Sequence, residues 1–340
     1  MKAIQLISHK KSIQFVEVPI PKIADANDVL IKVAYSGICG TDLHIIEGKF
    51  PVVKDQPLIL GHEFSGTVVD FGKDVTIFKV GDKVAGDPND SCLSCEWCHL
   101  GQPHFCTDNN KNLGTLKDGA WAEFVVLPAH MVHKLPHNVT LEQGALAEPL
   151  SCLSHGLEIV EPMPVGSKIL ITGAGIIGTL WACVCHLRGQ RNVTVCEPNT
   201  ARLDIIRKLD LKVELVTPEE LKGKSNELYD FCIDCSGNVA VMEYSVKLLK
   251  SGGTFLCFAV APPEAEIKVN IFEMFMKETR IMDVKINPFS FLNAIRLIHA
   301  MEDRYLQYEK LGIKTYKLEE YDVALKDLKT GKVLKAVFKL

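Results

Sequence analysis

The sequence predicts an α/β protein of two domains, one rich in β-strands and one built on a doubly wound parallel sheet. The chain has 340 residues, and domains average roughly 150 residues, so two domains are expected. The first part, up to about residue 135, holds short runs of β-branched residues separated by proline and glycine, which favour strands. From Lys168 onward, strand-like and helix-like segments alternate, and this alternation is typical of a parallel sheet covered by helices.

The composition is that of an ordinary globular protein. Hydrophobic residues make up 47% and charged residues 24% of the chain, which excludes a disordered, collagenous or low-complexity protein. The formal net charge of −4 gives no basic excess, so we expect neither nucleic acid nor an anionic membrane as a partner. The most apolar stretch, residues 169–185, is interrupted by three glycines and is shorter than the roughly 20 residues of a membrane span. We interpret it as a strand, a tight turn and a buried helix.

The start of the chain and its cysteine content predict a cytoplasmic protein. Polar residues appear within the first ten positions, so the apolar region of a signal peptide is not expected. The 12 cysteines are too dilute for a disulfide scaffold. In a reducing compartment, clustered cysteines indicate metal ligands before disulfides.

The predicted elements of the first part are mostly strands, each bounded by proline or glycine. These strands are 13–18, 29–36, 64–71 and 122–127. After Thr140, whose side chain can cap a helix N-terminus, residues 141–160 carry apolar residues at helical spacing and predict a helix.

The second part alternates between strands and helices. The predicted strands are 168–172, 193–197, 212–216, 229–234 and 253–258, with helices such as 201–209 and 240–250 between them. A strand at 280–284, an amphipathic helix at 289–300 and a last strand at 333–338 follow. The short connections favour a doubly wound sheet.

Four cysteines in a short segment form the strongest local motif. Cys92, Cys95, Cys98 and Cys106 have the spacing C-x2-C-x2-C-x7-C. Gaps of two residues let a loop wrap a single tetrahedral ion, and four thiolates leave no open coordination position. The spacing predicts a structural zinc site. An iron–sulfur centre and four unrelated buried cysteines are the alternatives that spacing alone leaves open.

A second set of metal-ligand residue types is spread along the chain. It comprises Cys39 in GICGTD, His62 and Glu63 in GHE, and Glu148 in AEP. One cysteine, one histidine and one carboxylate can hold zinc and leave a position open for water or substrate, although singly such residues are more often core or surface groups. Thr41 and His44 follow Cys39 closely and can form a proton relay; on loops such residues also commonly cap turns.

A glycine motif opens the second part. The run Gly173-Ala174-Gly175-Ile176-Ile177-Gly178 follows a predicted strand and begins a predicted helix. Its glycines allow a tight turn and the close approach of a pyrophosphate, which the helix N-terminus attracts. Glu197, at the end of the next strand, suits a ribose diol and would repel a 2′-phosphate. The motif predicts NAD binding; the alternative is a glycine-rich packing turn without a nucleotide.

Together these motifs resemble the zinc-dependent medium-chain dehydrogenase/reductase family over essentially the whole chain. Residues 61–75, GHEFSGTVVDFGKDV, fit the zinc alcohol dehydrogenase signature at each fixed position. Residues 39–44, CGTDLH, fit the loop that carries the first catalytic-zinc ligand and the relay hydroxyl and imidazole. The four-cysteine segment, 88–110, fits the structural zinc lobe of the family, which disfavours the iron–sulfur alternative.

The resemblance implies a GroES-like β-barrel catalytic domain, formed by residues 1–149 and 286–340, and an inserted Rossmann-fold NAD-binding domain, residues 150–285. It implies a homo-oligomer, a tetramer or a dimer, joined by edge strands of the Rossmann sheets, for which residues 254–260 are the apolar candidate. It also places Arg202 over the adenine, and Phe258 and Asn287 at the cofactor.

The glutamate at position 148, in the segment AEP, resembles the one in the polyol branch of the family. This branch includes sorbitol, arabinitol and xylitol dehydrogenases. In that branch a cysteine, a histidine and a glutamate hold zinc, with water in the fourth position. The resemblance therefore assigns Cys39 and His62 to the catalytic zinc, with Glu63 and Glu148 as a pair whose roles can exchange. Two departures argue against sorbitol itself: Ile45 replaces a tyrosine, and Ile286-Asn287 replaces an Arg-Tyr pair.

The implied reaction is the reversible NAD-dependent oxidation of a secondary alcohol to a ketose. The expected substrate is a polyol of five or fewer carbons, such as arabinitol or xylitol. Zinc would act as a Lewis acid, and the alcohol proton would leave through Thr41, the nicotinamide ribose hydroxyl and His44. The alternatives are another small secondary alcohol, such as butanediol or L-threonine, and a non-catalytic nucleotide-binding or structural protein on the same fold.

Overall fold

The computed structural model of the chain describes residues 1–7, 12–49, 56–108, 112–224 and 228–340. Within it the chain divides into two units. The first unit contains Met1–Cys152, Ile286–Glu302 and Ile313–Leu340, and the second contains Leu153–Lys285 and Asp303–Gly312.

Strands dominate the first part of the chain, and strands and helices alternate afterwards. The strands are β1 (Lys2–Ile7), β2 (Ser12–Glu17), β3 (Asp28–Gly37), β4 (Leu58–Ile59), β5 (Phe64–Phe71), β6 (Lys83–Gly86), β7 (Phe124–Pro128), β8 (Val132–Lys134), β9 (Lys168–Thr172), β10 (Asn192–Cys196), β11 (Glu214–Val216), β12 (Tyr229–Asp234), β13 (Leu249–Cys257), β14 (Arg280–Asp283), β15 (Ile313–Tyr316) and β16 (Lys335–Lys339). The helices are α1 (Gly40–Ile46), α2 (Glu96–His99), α3 (Leu141–Gly144), α4 (Ala147–Val160), α5 (Ile176–Leu187), α6 (Thr200–Lys208), α7 (Pro218–Gly223), α8 (Val239–Lys247), α9 (Ile271–Lys277), α10 (Phe291–Tyr305) and α11 (Tyr321–Lys329). Across the described ranges, no helix is both long enough and apolar enough to cross a membrane.

The first unit is built on two sheets. The larger has the order β15-β16-β3-β5-β6-β8, with β7 paired to β3, and its pairs are antiparallel except for β15 with β16. The smaller has the order β2-β1-β4. In β3 the side chains of Val29, Ile31 and Val33 are buried and alternate with more exposed residues. This period of two is typical of a strand with one face on a core.

The second unit is a doubly wound parallel sheet. Its strand order is β11-β10-β9-β12-β13-β14, with every pair parallel, which is the order formed by two βαβαβ halves. In the central strand β9, Ile169, Leu170 and Ile171 are all fully buried, because helices cover both faces of such a sheet. The predicted α/β class with a parallel sheet is confirmed.

The boundaries of the units differ from the predicted domain boundaries. The first stretch of the first unit ends at Cys152 rather than 149, and residues 303–312 pack in the second unit although the prediction assigns them to the first. Glu302 interrupts α10 with φ 42° and ψ −150°. Beyond this break, the Arg304 guanidinium donates to the carbonyls of Leu209 and Asp210. These bonds hold the end of α10 within the second unit.

Several predicted elements also have different ends. Residues 141–160 form two helices, α3 and α4, and not one. The predicted helix 240–250 ends at Lys247, because Leu249 already belongs to β13. Several elements, among them β1, α1 and α11, are not predicted from the sequence.

The free edge of the parallel sheet is not where the prediction placed it. Residues 254–260 were expected at the edge, but β13 is covered by β14, with Thr254 paired to Arg280 and Cys257 to Asp283. Phe255 is fully buried, as expected for an inner strand with both faces covered. The outer strand on this side is therefore β14.

Candidate active site

The four cysteines of the predicted structural site converge. The Sγ atoms of Cys92, Cys95, Cys98 and Cys106 all lie within 4.8 Å of one another. The backbone N–H of Cys95 donates to Cys92 Sγ at 3.2 Å, and that of Cys92 donates to Cys106 Sγ at 3.4 Å. Hydrogen bonds, first from Ser94, lower the pKa of Cys92 to about 6, whereas burial raises the pKa of Cys106 to about 11. Four sulfur atoms at this spacing can enclose a tetrahedral ion.

A second cluster brings together Cys39, His62 and Glu63, whose ligand atoms also lie within 4.8 Å of one another. Cys39 lies between β3 and α1, and the other two residues lie between β4 and β5. Gly61 has φ +92°, and a Cβ there would lie 2.1 Å from Cδ1 of Trp121, so only glycine permits the turn before His62. A half-buried thiol with a buried imidazole and a buried carboxylate forms a donor set that suits zinc.

Asp42 orients this cluster and was not among the predicted site residues. Its Oδ2 accepts from the backbone N–H of Cys39 at 2.7 Å, and its Oδ1 lies 3.5 Å from Nδ1 of His62. Burial alone would lower the pKa of His62, but Asp42 and Cys39 together favour the charged ring and raise the pKa well above its usual value. With Nδ1 turned to Asp42, Nε2 is the ring nitrogen left for a metal. The signal was present in CGTD, where the aspartate stands three positions after the cysteine, as in a capping box.

A buried ion pair lies beside the cluster. Lys335 is 2% exposed, and its Nζ contacts Glu63 Oε2 and donates to the carbonyl of Ile38 at 3.2 Å. Burial alone would lower the pKa of Lys335, but Glu63, Cys39 and Glu148 together stabilise its charge, so the pKa is raised overall. Gly37 leaves the room for this pair, since a Cβ there would lie 2.1 Å from Glu63 Oε2. The signal for Lys335 was a single lysine in the apolar run VLKAVF.

Glu148 lies near this cluster but outside the group of mutually close ligand atoms. It stands in the first turn of α4 and is buried. Burial raises its pKa to about 7, the charge of Glu63 adds to this, and His62 opposes it. Cys152, one turn later, donates to Glu148 Oε1 at 3.4 Å. The exchange of roles between Glu63 and Glu148 stays a prediction.

The two predicted relay residues lie next to the cluster. Thr41 Oγ1 is 3.7 Å from Cys39 Sγ, and His44 follows three residues later in α1, so the two side chains share a helix face. Both are half-buried, and their relay role stays a prediction. Ile45, in contrast, is part of the core of the first unit, so it does not line an open substrate pocket.

The glycine motif joins β9 to α5. Gly173 has φ +94°, and a Cβ on Gly178 would lie 1.8 Å from the carbonyl oxygen of Gly173. Glycine is therefore required at both positions. Gly175 is the N-cap of α5, whose first N–H groups, at Ile176 and Ile177, belong to the helix N-terminus that attracts a phosphate.

Glu197 lies against this turn. It is buried, and its carboxylate accepts from the backbone N–H of Ala174 at 2.7 Å and from that of Asn199 at 3.0 Å. Arg202 Nη1 lies 3.7 Å from the same carboxylate. An acidic side chain fixed beside a glycine turn fits the ribose of a dinucleotide, while the expected contact of Arg202 with adenine stays a prediction.

The two remaining cofactor candidates have different surroundings. Phe258 follows β13, and its ring meets that of Trp181 edge-on with 5.8 Å between centroids. Asn287 is 1% exposed, and its amide is engaged by Asn89, Asp87 and Ser151. The predicted contacts of Phe258 and Asn287 with the cofactor stay predictions.

Comparisons with known proteins agree with this arrangement. A sequence-family model described as an alcohol dehydrogenase GroES-like domain matches residues 25–137, and one described as a zinc-binding dehydrogenase matches residues 177–299. The chain is 31% identical to D-arabinitol dehydrogenase 1 of Uromyces fabae over 97% of its own length and 94% of that protein.

Two further similarities extend this result. The chain is 34% identical to L-threonine 3-dehydrogenase of Aeromonas hydrophila subsp. hydrophila over 77% of its own length and 78% of that protein. A solved zinc-binding dehydrogenase of Sinorhizobium meliloti 1021, bound to NADP, matches with a TM-score of 0.91 at 27% identity, with 100% of this chain and 99% of that chain covered.

Proposed function

Because this chain belongs to the zinc-binding alcohol dehydrogenase family, we propose that it reversibly oxidises a secondary alcohol of a short polyol to a ketose, with NAD as the hydride acceptor. The observation that carries this proposal is the cluster of Cys39, His62 and Glu63, whose ligand atoms lie within 4.8 Å of one another and whose imidazole and carboxylate are buried. A non-catalytic relative has no need to bury such a donor set beside a charged lysine.

In the proposed reaction, Cys39 and His62 would hold the catalytic zinc, and Glu63 or Glu148 would supply the third protein ligand. Bound zinc supplies Lewis-acid polarisation of the alcohol oxygen, which makes the alcohol proton easier to remove. The Thr41 hydroxyl, next to Cys39, would accept the alcohol proton in a hydrogen bond and give up its own proton in turn. His44, on the same face of α1, would take up the released proton and pass it to solvent. Asp42 fixes the tautomer of His62.

The choice of NAD over NADP follows from Glu197. Its carboxylate is already fixed by the amides of Ala174 and Asn199, so a 2′-phosphate placed on the ribose would meet a negative charge that cannot move away. We expect a higher kcat/KM with NAD than with NADP, and we expect Glu197→Ser to narrow the difference. A wild-type preference for NADP would overturn this choice.

The substrate class is argued from similarity and is tested directly. The arabinitol dehydrogenase relative matches nearly the whole chain, which favours a five-carbon polyol. The threonine dehydrogenase relative makes L-threonine the second candidate. The experiment measures NADH formation with arabinitol, xylitol, sorbitol, butanediol, L-threonine and ethanol, with Cys39→Ser as the inactive control. Activity on ethanol alone would overturn the polyol proposal, and a preference for threonine would select the second candidate.

The proposed assembly is a homo-oligomer that uses the outer edge of the parallel sheet. Large apolar side chains project from α9 with 63–75% exposure, namely Ile271, Phe272, Phe275 and Met276. The neighbouring outer strand β14 presents Met282, also exposed. Such a patch beside an outer strand is typical of an interface. We expect a dimer or tetramer by light scattering and expect Phe275→Asp to shift it toward the monomer; a monomeric wild type would contradict this.

The cytoplasm is the compartment that we propose, since all twelve cysteines are free thiols, as a reducing environment favours. The non-catalytic alternative is separated by metal analysis. The two clusters predict about two zinc ions per chain, whereas a purely structural protein would not need the ion at Cys39 and His62.

A further inference from the structure

The side chain of Asn287 joins two segments of the first unit that the reaction depends on. Asn287 follows β14 and is almost completely buried. We propose that Asn287 is a positioning residue, which holds the start of α4 and therefore Glu148 against the loop that contains Asp87 and Asn89. This inference rests on the proposed function, because Glu148 matters only if a metal binds at the neighbouring cluster.

The hydrogen-bond partners of Asn287 fix which atom of its amide donates and which accepts. Asn89 Nδ2 donates to Asn287 Oδ1 at 2.7 Å. Asn287 Nδ2 donates to Asp87 Oδ1 at 3.1 Å and to Ser151 Oγ at 2.8 Å. Ser151 Oγ in turn donates to the backbone carbonyl of Glu148 at 2.6 Å. Because a carboxylate and a carbonyl can only accept, the amide of Asn287 has one orientation that satisfies every partner.

The backbone on both sides of Asn287 is strained, which indicates that these bonds hold it in place. Ile286 has φ 48° and Phe289 has φ 55°. A left-handed conformation is unfavourable for a β-branched or bulky residue and persists only where the surroundings impose it. Phe289 is largely exposed and offers little packing of its own. The buried amide of Asn287 is the group in this segment that anchors the turn to two other segments.

The consequence for Glu148 comes through Ser151. The Ser151 hydroxyl fixes the carbonyl of Glu148, and the Cys152 thiol fixes its carboxylate. The charges of His62 and Glu63 both act on that carboxylate, so it lies within their reach. A shift of about 1 Å in a catalytic group can reduce a rate about 100-fold. Asn287 thus contributes by restricting where α4 begins, without touching the metal.

The experiment compares Asn287→Asp and Ser151→Ala with the control Asn293→Asp. Asn287→Asp keeps the shape of the side chain. It replaces the Nδ2 group, which donates to Asp87 and Ser151, by a carboxylate oxygen that can only accept. Asn293 is a matched asparagine in α10 that accepts from Arg296 at the surface. The readouts are thermal unfolding, kcat and KM, and the rate at which a chelator removes zinc. Cys39→Ser, which keeps only the four-cysteine site, gives the baseline for zinc removal.

We expect Asn287→Asp and Ser151→Ala to lower kcat by about tenfold or more, to change KM little, and to speed loss of one zinc ion, as is usual for groups that support ligands. Asn293→Asp should match the wild type. The double variant Asp87→Asn with Asn287→Asp restores a donor between positions 87 and 287, but it does not restore the donor to Ser151. It should therefore recover the unfolding temperature and not kcat.

Two results would overturn the proposal. If the Asn287 and Ser151 variants unfold earlier but keep wild-type kcat and zinc retention, the network is only structural. If the double variant recovers kcat fully, the link through Ser151 has no role. A wild type without activity on any alcohol would refute the proposed function instead, and the rate of zinc removal would still decide whether Asn287 positions Glu148.

Discussion

The four-cysteine cluster and the cluster of Cys39, His62 and Glu63 belong to the same unit, but the chain assembles them differently. The four cysteines lie within one short segment around α2, among side chains such as Leu93 and Leu100 that are exposed. The cluster of Cys39, His62 and Glu63, called the mixed cluster below, takes its residues from separate segments, and its imidazole and carboxylate are buried. The first can form wherever the loop meets an ion, whereas the second exists only once the unit has folded.

The environments of the two clusters differ accordingly. The thiols of the first accept backbone N–H groups from their own segment. The second is flanked by the charges of Asp42 and Lys335, which come from α1 and β16. A closed site needs ligands and little else, whereas an open site needs surrounding groups that orient the ligands and leave one position free.

The largest effect is expected from serine in place of one ligand of each cluster. Cys39→Ser should remove one zinc ion and lower kcat about 1,000-fold or more, since polarisation by a metal is worth several kcal/mol. Cys95→Ser should lower the unfolding temperature and the yield, because a closed site contributes folding energy. The measurements are zinc content, kcat and thermal unfolding, with Cys257→Ser as a control. Identical behaviour of the two variants would remove the distinction between the clusters.

The next largest effect is expected at the buried ion pair of Lys335 and Glu63. Of the two clusters, as far as the described residues show, only the mixed cluster has such a pair. Lys335→Met leaves the charge of Glu63 without its partner, and breaking a buried pair costs about 3–5 kcal/mol. Lys2→Met is the control, because Lys2 pairs with Glu319 where both side chains are exposed, and such pairs contribute about 1 kcal/mol or less. Adding Glu63→Gln to Lys335→Met should recover much of the free energy of unfolding. Equal losses for the two lysine variants in denaturant titrations would contradict a buried pair.

A smaller effect is expected at Asp42. Asp42→Asn keeps an acceptor for the N–H of Cys39 but removes the charge that faces His62. Zinc affinity at the mixed cluster should fall about 10–100-fold, as for other groups that orient a ligand histidine. Glu96→Gln, beside Cys95, is the control and should leave both zinc ions unaffected. Chelator competition gives both affinities, and an unchanged affinity in Asp42→Asn would mean that His62 is oriented by other contacts.

The contrast between the clusters also explains what the sequence could predict. The four-cysteine site follows from spacing, because all of its ligands lie within one short segment. The parallel sheet follows from the alternation of strands and helices, and its strand order follows from that topology. Cys39, His62 and Glu63 were assigned through family resemblance, since no local pattern brings β3 and the segment before β5 together.

The contacts that the sequence does not predict join residues far apart in the chain. Lys335 meets Glu63 because β16 pairs with β3, and Asn287 meets Asp87 through a turn with two left-handed residues. Neither contact has a periodic signal, because each depends on how distant strands align. The prediction of the sheet edge is wrong for the same reason. The sequence of β13 indicates an apolar strand, but only the fold shows that β14 covers it.

The smallest effect is expected at Trp97, which packs on the exposed cysteine segment. Its ring meets that of Phe105 edge-on with 5.4 Å between centroids, and such a contact contributes about 1 kcal/mol. Trp97→Ala should therefore lower the unfolding temperature by a few degrees at most and leave kcat unchanged.

Trp121→Ala is the contrast, because Trp121 is fully buried, donates to the carbonyl of Gly37 at 3.0 Å and packs on the turn before His62. Its loss should cost about 3–5 kcal/mol. A loss at Trp97 as large as that at Trp121 would mean that packing, and not the metal, holds the cysteine segment together, and the two clusters would then differ only in their ligands.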